Sequence, residues 1–187
     1  MVQVDVFWSY GLASGLALAS GRELKRRETP FWVNRGFVAT LIWISTVFAP
    51  SGLYLLWAFP GWETMFVART HTDIPAWLAM LFAATNITQG ILGYAVTTNL
   101  LRAGRDRAAK WQPVWSHLAM LFILVVGWDG TGWRRFTYSG TGDDWHTGVE
   151  LPWTGFFSSQ VFITLLGMSV VFVPSYAWLV GRLRRPA

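Results

Sequence analysis

Five long apolar runs, at residues 4–21, 37–59, 75–101, 111–128 and 156–180, carry no charged residue near their middles. Each has the length of a helix able to cross a bilayer core of about 30 Å, the shortest of them with little tilt. Charged residues are 13% of the chain and hydrophobic residues 53%, against roughly 25% charged in a soluble domain. A soluble fold of this size has too little interior to hide that much apolar surface, and lipid removes the need. The expected fold is therefore an all-α integral membrane protein, a five-transmembrane-helix bundle forming a single domain over 1–187.

The basic residues orient the bundle. Arg22, Lys25, Arg26, Arg27 and Arg35 follow the first run; Arg102, Arg105, Arg107 and Lys110 follow the third; Arg182, Arg184 and Arg185 follow the fifth. Five crossings put these twelve on one side and leave Arg69, Arg134 and Arg135 for the other. Cytoplasmic loops retain excess Lys and Arg, so the N-terminus is expected outside and the C-terminus inside. The first run is not a standard signal peptide, because its positive cluster follows it. Acidic residues show the opposite bias: Asp5, Glu63, Asp73, Asp129, Asp143, Asp144 and Glu150 fall outside, and Glu23, Glu28 and Asp106 inside. The pI near 10.1 does not imply nucleic acid, since the charge borders apolar spans, where anionic headgroups attract it. Cysteine is absent, which excludes disulfides, thiolate nucleophiles and Cys-ligated metals.

Helix packing is written into small and polar residues. Gly11 and Gly15 form a Gly-x-x-x-Gly pair that lets another helix approach closely. Asn86, Gln89, Gly90, Gly93 and Thr97 make one stripe on the third run, expected to face protein. Asn86 and Gln89 have a second reading, as hydrogen-bonding groups for a ligand within the bilayer. Pro50 is expected to kink the second run, because it supplies no amide hydrogen. His117 has no intramembrane histidine to pair with as a haem ligand, so hydrogen bonding between helices is its expected role.

Chemistry, if present, belongs to the outer loop at 129–155. Loops of that length are functional or disordered, and Trp133, Phe136, Tyr138, Trp145 and Trp153 argue against disorder. Alternation around 134–139 and 145–151, with turn residues between, predicts a short β-hairpin. In an enzyme reading, Asp129 or Asp73 works with His71 or His146 as acid and base. Arg134 and Arg135 would grip an anionic group, and Trp133 and Trp145 would line its pocket. In the structural reading, Asp129 pairs with one of those arginines and pins the loop to the fourth helix. No His-Glu-x-x-His, P-loop, dinucleotide fingerprint or Gly-x-Ser-x-Gly is present. A metal site is neither indicated nor ruled out by the sequence, and no cofactor is named by it. No Asp, Glu, Lys or Arg sits mid-span, which argues against ion-coupled transport.

Two functions follow. The first is an auxiliary or structural subunit of a larger membrane complex, binding lipid, pigment or quinone between helices, in a bacterial cytoplasmic membrane. Its partners would be membrane lipid and other membrane protein chains. The alternative is a small membrane enzyme acting on a lipid-like anionic substrate at the outer face.

Overall fold

The computed structural model describes residues 5–26, 30–58, 76–130 and 160–185, and these are almost entirely helical with no strand among them. In chain order the helices are α1 (Asp5–Ala19), α2 (Gly21–Arg26), α3 (Arg35–Trp43), α4 (Ala49–Ala58), α5 (Ala76–Arg102), α6 (Asp106–Gly130) and α7 (Gln160–Arg184). A 3-10 turn at Phe31–Val33 leads into α3, and a π-helical segment at Ile44–Phe48 joins α3 to α4. Among the described residues, three stretches are long and apolar enough to cross a membrane: Arg35–Tyr54, Ala79–Arg102 and Leu166–Arg184.

The bundle is organised around α1. It packs most extensively against α5 and then α6, with α3 and α7 completing its surroundings. The small-residue stripe expected on the third run explains the closest contact. Asn86, Gly90, Gly93 and Thr97 are all buried, as are Ser9, Ala13, Ser14 and Ala17 of α1. A Cβ on Gly93 would overlap the Tyr10 backbone carbonyl, so the two helix backbones meet there with nothing between. Ser9 Oγ donates to the Asn86 carbonyl at 2.6 Å, and Ser14 Oγ lies 3.2 Å from the Gly93 carbonyl. Small residues and hydroxyls of this kind hold helices together where lipid offers no hydrophobic drive between them.

Gly11 and Gly15 also meet other helices, each a different one. A Cβ on Gly11 would lie 2.8 Å from His117 Cε1 of α6, and one on Gly15 would strike the Tyr176 hydroxyl of α7. His117 itself bonds within its own helix, Nδ1 lying 2.6 Å from the Pro113 carbonyl. The contact that sequence reading assigned to an interhelical hydrogen bond is therefore ring-on-glycine packing.

Two boundaries differ from expectation. The fourth run was expected to begin at 111, but α6 begins at Asp106, and the loop before it shrinks to a tight turn. Gly104, at φ 71°, ends α5 in a Schellman arrangement: the Arg105 amide donates to Leu100 O and the Gly104 amide to Leu101 O. Arg107 and Lys110 therefore ride on the first turns of a helix, and Asp106 suits the positive end of its dipole. At the other end α6 extends through Asp129 and Gly130, two residues past the expected end of the fourth run. Asp129 thus sits in the last helical turn. The expected hairpin lies outside the described residues.

The second run does not simply kink at Pro50. The Ala49 amide donates to the Ile44 carbonyl, five residues back, which opens one wide turn just ahead of the proline. A proline ring in a regular α-helix collides with the carbonyl four residues earlier, here that of Thr46, inside the widened turn. Hydroxyls nearby bond back to the carbonyl four residues earlier: Thr46 Oγ1 donates to Ile42 O, and Ser51 Oγ to Val47 O.

The basic segments converge at one end of the bundle. Lys25 pairs with Asp106 at 2.7 Å, Arg35 Nε with Glu23 Oε2 at 3.2 Å, and Arg35 Nη2 donates to the Arg185 carbonyl at 2.9 Å. Arg102 Nε reaches the Leu24 carbonyl. Just inside this end, Asn34 caps α3 by accepting from the Gly36 amide, and the same oxygen accepts from Tyr94 OH at 2.9 Å.

Candidate functional site

The widened turn has a geometric consequence. In an α-helix, residues five apart point about 140° from one another. A turn closed by i→i+5 bonds brings them nearly back into line. Trp43 and Phe48 consequently share a side of the rod, their rings stacked with centroids 6.1 Å apart and planes at 26°. Both face α7, where Phe172 packs edge-on against each, at 6.0 Å from Trp43 and 5.7 Å from Phe48. Tyr176 lies 5.4 Å from Trp43. Trp8 and Leu12 of α1 close the third side, and the group encloses a cavity of about 340 Å³.

The hydrogen bonding of the walls is inward-turned. Trp43 Nε1 donates to Ser175 Oγ at 3.0 Å, Tyr176 OH to the Leu12 carbonyl at 2.8 Å, and Ser169 Oγ to the Leu166 carbonyl. These bonds tie α3 and α1 to α7 and leave the cavity an apolar surface. No charged side chain is among its described lining residues. A largely apolar, uncharged wall suits a hydrocarbon chain. Its volume is at the small end of the roughly 300–1,000 Å³ typical of ligand pockets.

Gly15 sets how close α7 can come, since only a hydrogen there leaves room for the Tyr176 hydroxyl. The exposed side of α7 is strongly apolar: Leu166, Val170, Val171, Val173 and Trp178 are all at least 60% exposed. That side needs either lipid or another chain against it.

The residues singled out from sequence fall elsewhere. Asn86 is fully buried against α1, its Nδ2 donating to the Phe82 carbonyl, and Gln89 is half-buried on the same helix. Neither lines the aromatic cavity. Asp129 is placed by its backbone in the last turn of α6. His71, Asp73, Trp133, Arg134, Arg135, Trp145 and His146 lie outside the described residues. Among the described residues no three His, Asp or Glu side chains gather as a metal site would require. Sequence reading missed Trp8, Trp43, Phe48, Phe172 and Tyr176 as a group. Pro50 was the one available signal, since it marks where the helix must open.

Comparison with known proteins agrees with this architecture. Residues 105–185, which take in α6 and α7, match the model of a family described as an uncharacterized membrane protein family. A protein of Archaeoglobus fulgidus, described as an uncharacterized protein, is 40% identical over 148 residues, covering 75% of this chain and 63% of that protein. The chain thus spans somewhat under two thirds of that relative's length. No solved structure matches. With its apolar helices and this similarity, the chain is a helical membrane protein with transmembrane helices.

Proposed function

We propose that this protein is a multi-pass auxiliary subunit of a larger complex in a prokaryotic cytoplasmic membrane, and that it holds a lipid chain in the aromatic cavity between α1, α3 and α7. The cavity carries the reading: it is interhelical, walled by five aromatic residues, and has no charged side chain among its described lining residues. An uncharged, aromatic wall of this kind suits a lipid tail. The exposed apolar side of α7 supports a partner chain, because it continues from the cavity wall and no helix among the described residues covers it. Purification in mild detergent followed by mass measurement tests the subunit role. The expected result is this chain together with other membrane chains in fixed ratio. A single monodisperse copy of this chain alone would contradict it.

The proposal includes five spans with the basic end cytoplasmic. Its support is the convergence of three basic segments through the Lys25, Arg35 and Arg102 contacts. The chain has no cysteine, so single cysteines report cleanly. Gly104 is a poor probe position because of its positive φ, whereas neighbouring Ala103 is exposed. In intact cells an impermeant thiol reagent is expected to label Gly142→Cys and not Ala103→Cys. The reverse pattern would invert the orientation.

A further inference from the structure

At the basic end, a recess of about 500 Å³ lies between α3 and α7. Arg35, Arg182 and Arg185 contribute its charge, and Ala39, Trp178 and Leu179 line its apolar part. Two of the arginines are held in place. Arg35 is fixed by Glu23 and by the Arg185 carbonyl, and the Arg182 guanidinium lies 5.5 Å above the Trp178 ring. Glu23 offsets Arg35, while Arg182 and Arg185 face no carboxylate among the described residues. Counted over the described residues, the recess keeps an excess of about two positive charges.

Its position relative to the cavity is the second observation. Arg35, Ala39 and Trp43 follow i, i+4, i+8 and stand one above another on α3. Tyr176, Leu179 and Leu183 do the same on α7. The charged recess and the aromatic cavity thus lie along one interhelical seam, separated by about 12 Å of helix rise. Cationic groups come first, then an exposed tryptophan, then an apolar pocket. A membrane phospholipid has the same order of groups.

The geometry points to a specific site for one anionic phospholipid, its phosphodiester held by Arg182 and Arg185 and its chain running along the α3/α7 seam into the aromatic cavity. This rests on the reading of the cavity as a lipid-chain site and adds the headgroup that the site selects. A small soluble anion would leave the exposed Trp178 ring uncovered, whereas a lipid covers it. Basic pockets at the cytoplasmic ends of transmembrane helices attract anionic headgroups, by a factor of about five for each Lys or Arg near the surface.

The test is a lipid titration read by native mass spectrometry of the detergent-purified protein. The probes are phosphatidylglycerol and phosphatidylcholine with identical chains. The natural sequence is expected to prefer phosphatidylglycerol by about 25-fold, two arginines' worth. Arg185→Gln, an exposed change that leaves the Arg185 carbonyl in place, should reduce the preference about fivefold, and Arg182→Gln with Arg185→Gln should abolish it. Arg107→Gln, outside the recess, should leave it unchanged. An equal loss for Arg107→Gln would mean diffuse attraction and overturn the site. Displacement of phosphatidylglycerol by millimolar inorganic phosphate would mean a free-anion site and also overturn it.

Leu12→Trp, which places an indole in the cavity, separates the two levels of the account. Equal binding of both lipids by the natural sequence, lost in Leu12→Trp, would overturn the headgroup site and leave the chain cavity standing. Binding of neither lipid would overturn both.

Discussion

Gly93→Leu is expected to part α1 from α5 and to disrupt the whole bundle. At this position the α5 backbone rests on the Tyr10 carbonyl of α1, so no rotamer of a larger side chain escapes the contact. Neighbouring bonds would go with it: Ser14 Oγ to the Gly93 carbonyl and Ser9 Oγ to the Asn86 carbonyl both cross this seam. Overpacking in a close-packed interior costs about 1–3 kcal/mol and more where backbone must move. At the upper figure, Tm would fall by about 6–12 °C for a chain of this size. Gly167→Leu is the control, because nothing lies within 4 Å of a Cβ there. A detergent thermal-shift assay that finds Gly93→Leu as stable as Gly167→Leu would remove the α1–α5 contact from the account.

Trp43→Ala should detach α7 while leaving α1, α5 and α6 associated. The indole contacts Phe48, Phe172 and Tyr176, and its Nε1 donates to Ser175. Truncating a buried tryptophan costs about 3–5 kcal/mol in soluble cores. Here the loss falls on one helix, because α7 has few other attachments: it packs mainly on α1 and is exposed along most of its length. Hydrogen exchange should rise through 166–184 and stay unchanged in α5. Trp43→Phe, which keeps a ring and loses only the bond to Ser175, should cost about 1 kcal/mol. Unaltered protection of α7 in Trp43→Ala would mean that the aromatic wall does not hold that helix.

The parts legible in the sequence were those with a period. Gly11, Gly15, Asn86, Gly90, Gly93 and Thr97 announce helix contacts because small residues recur at helical spacing, and each of them meets another helix or is buried. The arginine clusters announced a common side of the membrane but not their mutual approach, since nothing in the order of residues places Arg35 beside Arg185. The start of α6 was hidden for a related reason. Arg107 and Lys110 look like loop charges, yet long basic side chains extend readily from the first turns of a helix into water. The cavity was hidden more deeply. Its walls come from three distant segments, and each aromatic alone reads as an interfacial or lipid-facing residue. Their grouping depends on the π-helical turn, which has no compositional signature of its own beyond Pro50 six residues from Ile44.

The central claim is that the α1/α3/α7 cavity holds a lipid chain. Its most direct measurement is the lipid retained per protein after delipidating washes, compared between the natural sequence and Leu12→Trp. Leu12 lines the cavity while its carbonyl, not its side chain, accepts from Tyr176, so the substitution fills space without breaking that bond. The account predicts about one tightly held lipid in the natural sequence and none in Leu12→Trp, with folding intact by thermal shift. Equal retention by the two proteins would contradict it.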